Sequence, residues 1–211
     1  VMGHAGFVRP LARPGEESPL PDLLLSGADL GRDGAGEWHV LADRVQAPSG
    51  LGYAAENRRV ISQVLPDLLD EGTLHRMDPY FAALRAALIA AAPEGASAPR
   101  IVVLSPGPLS ETAFDQAFIA NALGFPLVQG SDLVVRDGSV WMKPAGWPQR
   151  TPRERVDVIL RRVDAEWCDP LELRSGSRLG VAGLTEAVRR GRVRVVNGLG
   201  AGVLENPALF P

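Results

Sequence analysis

Residues 100 to 105 read Arg100-Ile101-Val102-Val103-Leu104-Ser105, four consecutive apolar residues between two polar ones. So short a run cannot form a helix with a single apolar face. It has no alternation either, so it predicts a strand buried on both sides in a parallel sheet. The residues that follow agree. Ser105-Pro106-Gly107-Pro108-Leu109 is a turn, Ser110 stands in the cap position, and 111–123 carries Phe114, Phe118, Ile119 and Leu123 on one side before Gly124 ends the helix. Pro126-Leu127-Val128 is a second short strand, and Asp137-Gly138 joins 133–136 to 139–142 as a hairpin with a primed turn. Val156 to Arg161 reads as a third core strand, followed by a helix from Val181 to Arg190 and a last strand from Val193 to Val196. Strands alternating with helices define a β/α domain over 100–211, whose sites lie beyond the carboxyl ends of the strands. Ser105, Arg161, Arg162, Asp164 and Asn197 stand there.

Upstream the pattern differs. Residues 1–27 are rich in proline and read as an irregular arm. In 28–93 a turn at 32–36 precedes a strand over 37–43, a loop over 44–52, and a helix from Tyr53 to about Leu69 with Pro66 as a break. A second helix runs from Pro79 to Ala92, with Asp78 as its cap. Glu94-Gly95-Ala96-Ser97-Ala98-Pro99 is a linker and the expected domain boundary.

The totals narrow the function. With 45% apolar and 22% charged residues the chain has globular composition, and a net charge of −3 provides no general field for nucleic acid or anionic membrane. No run approaches the roughly 20 apolar residues that span a bilayer, and no signal-peptide pattern is present, so the cytoplasm is the expected location. Cys168 is the single cysteine and the three histidines are scattered, which leaves no zinc ligand set. Any bound metal is held by oxygen. Of the 22 basic residues all but Lys143 are arginine, so lysine chemistry is nearly absent.

The stretch Asp43 to Arg58, DRVQAPSGLGYAAENR, concentrates polar and flexible residues between a strand and a helix. Asp43, Glu56 and Asn57 are oxygen donors of the kind magnesium takes, together with waters and substrate phosphates. Arg44 and Arg58 suit phosphate oxygens, and the backbone N–H groups around Ser49, Gly50 and Gly52 suit an anion near a helix start. The same residues also fit a purely structural arrangement, with Asp43 capping a turn and Glu56 paired with Arg58 or Arg59 on a solvated helix. Spacing does not decide between the two. Arg161 and Arg162 point to opposite faces of a strand end, so one of them suits a site while the other pairs with Asp164 or Glu166. Cys168 reads as a packed small residue.

Taken in order, Ala28-Asp29-Leu30, Trp38 to Arg44, Gln46-Ala47-Pro48-Ser49-Gly50, Gly52-Tyr53 and Glu56-Asn57-Arg58 resemble the circularly permuted ATP-grasp type 2 family. So do Pro106-Gly107-Pro108, Gly130-Ser131-Asp132-Leu133, Asp157 to Arg162, Asp169-Pro170 and Asn197-Gly198-Leu199-Gly200. The family is similar to glutathionylspermidine synthetase and glutathione synthetase. The resemblance therefore implies an ATP-dependent carboxylate–amine ligase that works through an acyl phosphate, with ATP and Mg2+ as cofactors and small or peptide-like carboxylates and amines as substrates. It implies that Asp43, Glu56 and Asn57 are the metal segment, with Arg44 and Arg58 on the phosphates. It also implies that 100–211 is a Rossmann-like pre-ATP-grasp domain, preceded by a strand-loop-helix segment of the ATP-grasp lobe, with Arg161, Arg162 and Asn197 on the substrate side.

Two departures are visible. Glu56 and Asn57 are adjacent on an expected helix, where neighbouring side chains diverge by about 100°. The lysine-bearing nucleotide clamp of such enzymes has no counterpart in this sequence and is expected beyond Pro211, which makes the chain an inactive piece of the ligase. The alternative is a non-catalytic binding or scaffolding module.

Overall fold

The computed structural model describes residues 3–4, 6–11, 23–67, 75–148, 150–152 and 154–209. Its centre is the expected parallel sheet. β3 (Ile101–Leu104) lies between β4 (Leu127–Val128) and β8 (Val158–Arg161), and β9 (Arg194–Val196) flanks β8. The register pairs Ile101 with Val158, Val103 with Leu127 and Val158 with Arg194. Both faces of this sheet are covered, which is why its strands are apolar apart from Arg161 at the end of β8 and Arg194 at the start of β9. Ile101, Val103, Val158, Leu160 and Val196 share one core with Leu84 and Leu88 of α2 (Asp78–Ala90), with Ala91 just after it, and with Ile119, Ala120 and Leu123 of α3 (Ala113–Leu123). Residues from both sides of the 94–99 linker thus pack together. Val102, Leu104, Ile159 and Val195 share the second core with Leu184 and Ala187 of α4 (Leu184–Arg189) and with Leu133, Val140 and Val156.

The last three residues belong to an antiparallel sheet of β5 (Leu133–Arg136), β6 (Ser139–Met142) and β7 (Glu154–Val156). The β5–β6 turn has positive φ at Asp137 (52°) and Gly138 (72°), the primed form that the Asp-Gly pair predicts. The stretch 156–161 is not one strand. Asp157 divides it, so that Val156 ends the antiparallel sheet and Val158 starts the parallel one. The Arg100 N–H donates to Asp157 Oδ2 at 2.9 Å, Arg155 Nε donates to Oδ1 at 2.9 Å, and the Asp157 N–H donates to the Arg100 carbonyl.

Upstream, β1 (Gly27–Arg32) and β2 (Trp38–Arg44) form an antiparallel ribbon with Ala28 opposite Asp43. β1 has too little apolar content to read as a strand in the sequence; pairing with β2 makes it one. α1 spans Leu51–Val64, ending before Pro66, and residues 68 and 69 of the expected helix lie outside the described ones. Two expected caps are absent. Met77, not Asp78, precedes α2, and Asp78 pairs with Arg76. Thr112 precedes α3, and the Ser110 hydroxyl accepts a bond from Gln116 Nε2 at 3.1 Å instead. α3 buries Ile119 and Leu123 as expected, but Asp115 and Gln116 lie inside as well, whereas Phe114 is 45% exposed and stacks with Tyr53 of α1 at 5.1 Å.

Candidate functional site

β2 delivers Asp43 and Arg44, and the loop after them is tied to the carboxyl ends of β8 and β9 by groups far away in sequence. Glu205 Oε1 accepts the Val45 and Gln46 N–H groups, each at 2.7 Å. Gln46 Oε1 accepts the Ala165 N–H at 3.2 Å. Arg162 Nη2 donates to the Pro48 carbonyl at 2.5 Å and the Ala47 carbonyl at 3.3 Å. Asn197 Nδ2 donates to the carbonyls of Val45 (2.5 Å) and Leu25 (2.6 Å), while its Oδ1 accepts the N–H groups of Leu24 (3.0 Å) and Leu25 (3.1 Å). Gly50 turns the chain at φ 113° into α1, and the Gly52 N–H donates to buried Asp115 Oδ1 at 2.5 Å. A Cβ on Gly52 would stand 2.9 Å from that oxygen and from Phe118 Cβ, so only glycine brings α1 this close to α3.

The three substrate-side candidates therefore hold the chain itself. Arg161 donates to the carbonyls of Asn197 (2.8 Å), Val163 (3.0 Å) and Gly198 (3.1 Å). Burial lowers its pKa from the usual guanidinium value, against the opposing pull of the nearby acids. Arg162, with a side chain 2% exposed, faces Asp115 at 3.6 Å, an ion pair too long to be a hydrogen bond. Arg162 Nε and Nη1 and Asp115 Oδ2 have no hydrogen-bond partner among the described residues. Neither arginine pairs with Asp164 or Glu166 through a hydrogen bond; Glu166 is taken by Arg174 at 2.8 Å.

On the metal side, Asp43 is half-buried and Asn57 exposed, and neither side chain has a partner among the described residues. Glu56 is gripped by Arg59 through Nε (2.9 Å) and Nη2 (2.5 Å), which holds its carboxyl below the usual range and charged at neutral pH. Arg44 forks onto Asp29 Oδ2 at 2.7 and 3.1 Å on the exposed ribbon. Arg58 is in different surroundings, lining a groove of about 660 Å3 with Arg59, Arg76 and Arg85 between α1, α2 and α3. Ser49 is exposed, while the Gly52 N–H is committed to Asp115. Two carboxylates and an amide oxygen are the donor types that a hard cation such as magnesium takes. Among the described residues no group of three or more His, Cys, Asp and Glu could hold a metal.

Asp115 and Glu205 were not read from the sequence. Asp115 had a signal: it lies four and eight residues before Ile119 and Leu123, a carboxylate on the apolar stripe of its helix. Glu205 had none. Cys168 is fully buried, and burial pushes its thiol up to about 12. We expect it to stay unmodified by a thiol reagent at pH 8 in the native protein and to react at once in denaturant; native labelling would contradict this burial.

The fold is a mixed α/β one, with a parallel sheet beside antiparallel ones, consistent with an α/β domain of ATP-grasp type. The sequence model of the circularly permuted ATP-grasp type 2 family matches residues 1–211, and the chain belongs to that family. It is 53% identical over 211 residues to an uncharacterized protein of Mycobacterium tuberculosis, covering all of this chain and 23% of that protein. It is 41% identical over 211 residues to an uncharacterized protein of Synechocystis, covering 42% of it. An uncharacterized protein of Mycobacterium leprae is 39% identical over 189 residues, 89% of this chain and 33% of its own length. The chain thus spans less than half the length of these relatives. No described helix is long and apolar enough to cross a membrane.

Proposed function

We propose that this chain is the metal-side segment and the pre-ATP-grasp, Rossmann-like region of an ATP-dependent carboxylate–amine ligase of the acyl-phosphate kind. The observation that carries the proposal is the clamp: Arg162, Asn197 and Glu205 hold residues 45–48, between Asp43 and the helix of Glu56 and Asn57, on the carboxyl ends of the parallel strands. Asp43, Glu56 and Asn57 would hold Mg2+, which supplies charge neutralisation at a transferring phosphoryl group. Arg44 and Arg58 would turn to phosphate oxygens, Arg44 by leaving Asp29. Ser49 and Gly50 keep their place as anion donors, whereas Gly52 serves the α1–α3 contact. Arg162 and Asn197 act on substrate through the loop they position, and Arg161 through the Asn197 and Gly198 backbone it holds.

Lys143 Nζ donates to the Ser131 carbonyl at 2.7 Å; in this reading the nucleotide clamp belongs to parts of the longer relatives that this chain does not span. The exposed Leu30, Trp38, Val40 and Leu41 of the ribbon support further chain packing there. The pairing of Glu56 with Arg59 and of Arg44 with Asp29 favours the second reading, a binding module without catalysis.

The full-length protein is expected to release phosphate from Mg-ATP when offered a carboxylate and an amine. Asp43→Ala and Glu56→Ala should each slow this at least about 100-fold, within the several kcal/mol that a metal contributes, with unchanged circular dichroism. No release by the wild type, or undiminished release by both variants, would leave the binding module as the better reading.

A further inference from the structure

A cleft of about 630 Å3 opens where β8 and β9 end, lined by Arg9 of the arm, Gln46 of the loop, and Asp164, Glu166 and Arg174 beyond β8. Its volume is that of a small-ligand site. Three segments distant in sequence meet here through glycines. A Cβ on Gly202 would lie 2.9 Å from the Gln46 side chain, and one on Gly6 would lie 2.9 Å from Gly202 C and Val203 N. Several charges of the cleft are already paired: Glu166 with Arg174 at 2.8 Å inside it, and Glu172 with Arg189 outside it at 2.5 Å.

Two charges are not. The Asp164 carboxylate and the Arg9 guanidinium have no hydrogen-bond or ion-pair partner among the described residues, and both residues are exposed. Buried Arg161 feels the Asp164 charge but leaves the carboxylate's hydrogen-bonding capacity unused. Gln46 is oriented by the bond from Ala165 N–H to its Oε1, and its Nε2 has no partner among the described residues. One wall therefore offers a carboxylate, and the other surfaces offer a guanidinium and an amide donor.

We propose that this cleft binds a small zwitterion, an amino acid or short peptide, with its ammonium on Asp164 and its carboxylate on Arg9 and the Gln46 amide. The proposal rests on the ligase reading only in making this ligand the amine-side substrate. Opposite unpaired charges with a neutral donor match a zwitterion better than a phosphate, which the carboxylate would repel, or an apolar ligand, which would strand all three groups.

The test is saturation-transfer NMR on the full-length protein, without nucleotide or magnesium, using glycylglycine as probe. Saturable transfer with a dissociation constant on the order of 1 mM or below is expected. N-acetyl-glycylglycine and glycylglycine amide should bind at least about tenfold more weakly, as should glycylglycine to Asp164→Asn or Arg9→Gln. Both side chains are exposed and without a hydrogen-bond or ion-pair partner among the described residues, so the variants should keep the wild-type thermal transition. Absence of saturable transfer, blocked forms that bind as well as glycylglycine, or both variants binding like wild type would overturn the assignment. With no nucleotide present, this outcome and that of the phosphate-release assay can fail separately.

Discussion

Arg162→Met is expected to lower the unfolding free energy by about 3–5 kcal/mol, the effect of removing one member of a buried ion pair. Its partner Asp115 is fully buried, and the Arg162 side chain is 2% exposed. Burial lowers the pKa of Arg162, and the charge of Asp115 works against that shift. Without the guanidinium, Asp115 keeps the Gly52 N–H as its one hydrogen-bond donor among the described residues, and the carbonyls of Ala47 and Pro48 lose the Arg162 donor. Asp115→Asn retains an acceptor for Gly52 while removing the charge. The double variant should therefore lose less than the two single variants added together, with a coupling of at least about 1 kcal/mol. Urea titrations of the four proteins measure it. Strictly additive losses would mean that the pair, at 3.6 Å, does not act as a unit. The single variant should also become a protease substrate between Ala47 and Gly52, since the loop has lost its tether.

A comparable loss is expected from a residue without chemistry. A Cβ on Gly180 would stand 2.2 Å from the Cys168 carbonyl oxygen and 2.3 Å from that of Trp167, and one on Gly130 would stand 2.3 Å from the Gly180 carbonyl oxygen. These are backbone atoms, which cannot swing aside as the end of a side chain does. Gly180→Ala must push apart the segments that bury Cys168 and Val181. A cost above about 4 kcal/mol, in the exceptional tail of single substitutions, is expected. Gly200→Ala is the control: its φ is −85° and nothing lies within 4 Å of its Cβ position, so a change within about 0.5 kcal/mol is expected. Thermal unfolding of the two variants beside wild type decides the matter. A Gly180→Ala protein as stable as the control would show that these segments can separate freely.

The cores around Val102 and Leu88 were legible because burial on both faces of a strand leaves an uninterrupted apolar run. The Asp137-Gly138 turn and the Gly124 stop were legible because each depends on φ at one or two residues. Asp157 was hidden: as a lone acid between Val156 and Val158 it reads as one polar position in a strand, and only Arg100 and Arg155 make it the junction of two sheets.

The candidate site divides in the same way. The sequence by itself determined that 43–58 joins a strand to a helix through a loop rich in oxygen and nitrogen donors, and that arginines and an asparagine stand at the carboxyl ends of parallel strands. Only the tertiary structure decided what those groups hold. Arg162 reaches Pro48 and Asn197 reaches Leu25 across 114 and 172 residues of chain, so no local spacing encodes either contact. A hydrogen bond to a distant backbone carbonyl specifies no residue type at its acceptor. The partner is therefore set by where the sheet brings the chain, and the sequence around Pro48 carries no mark of the guanidinium that holds it.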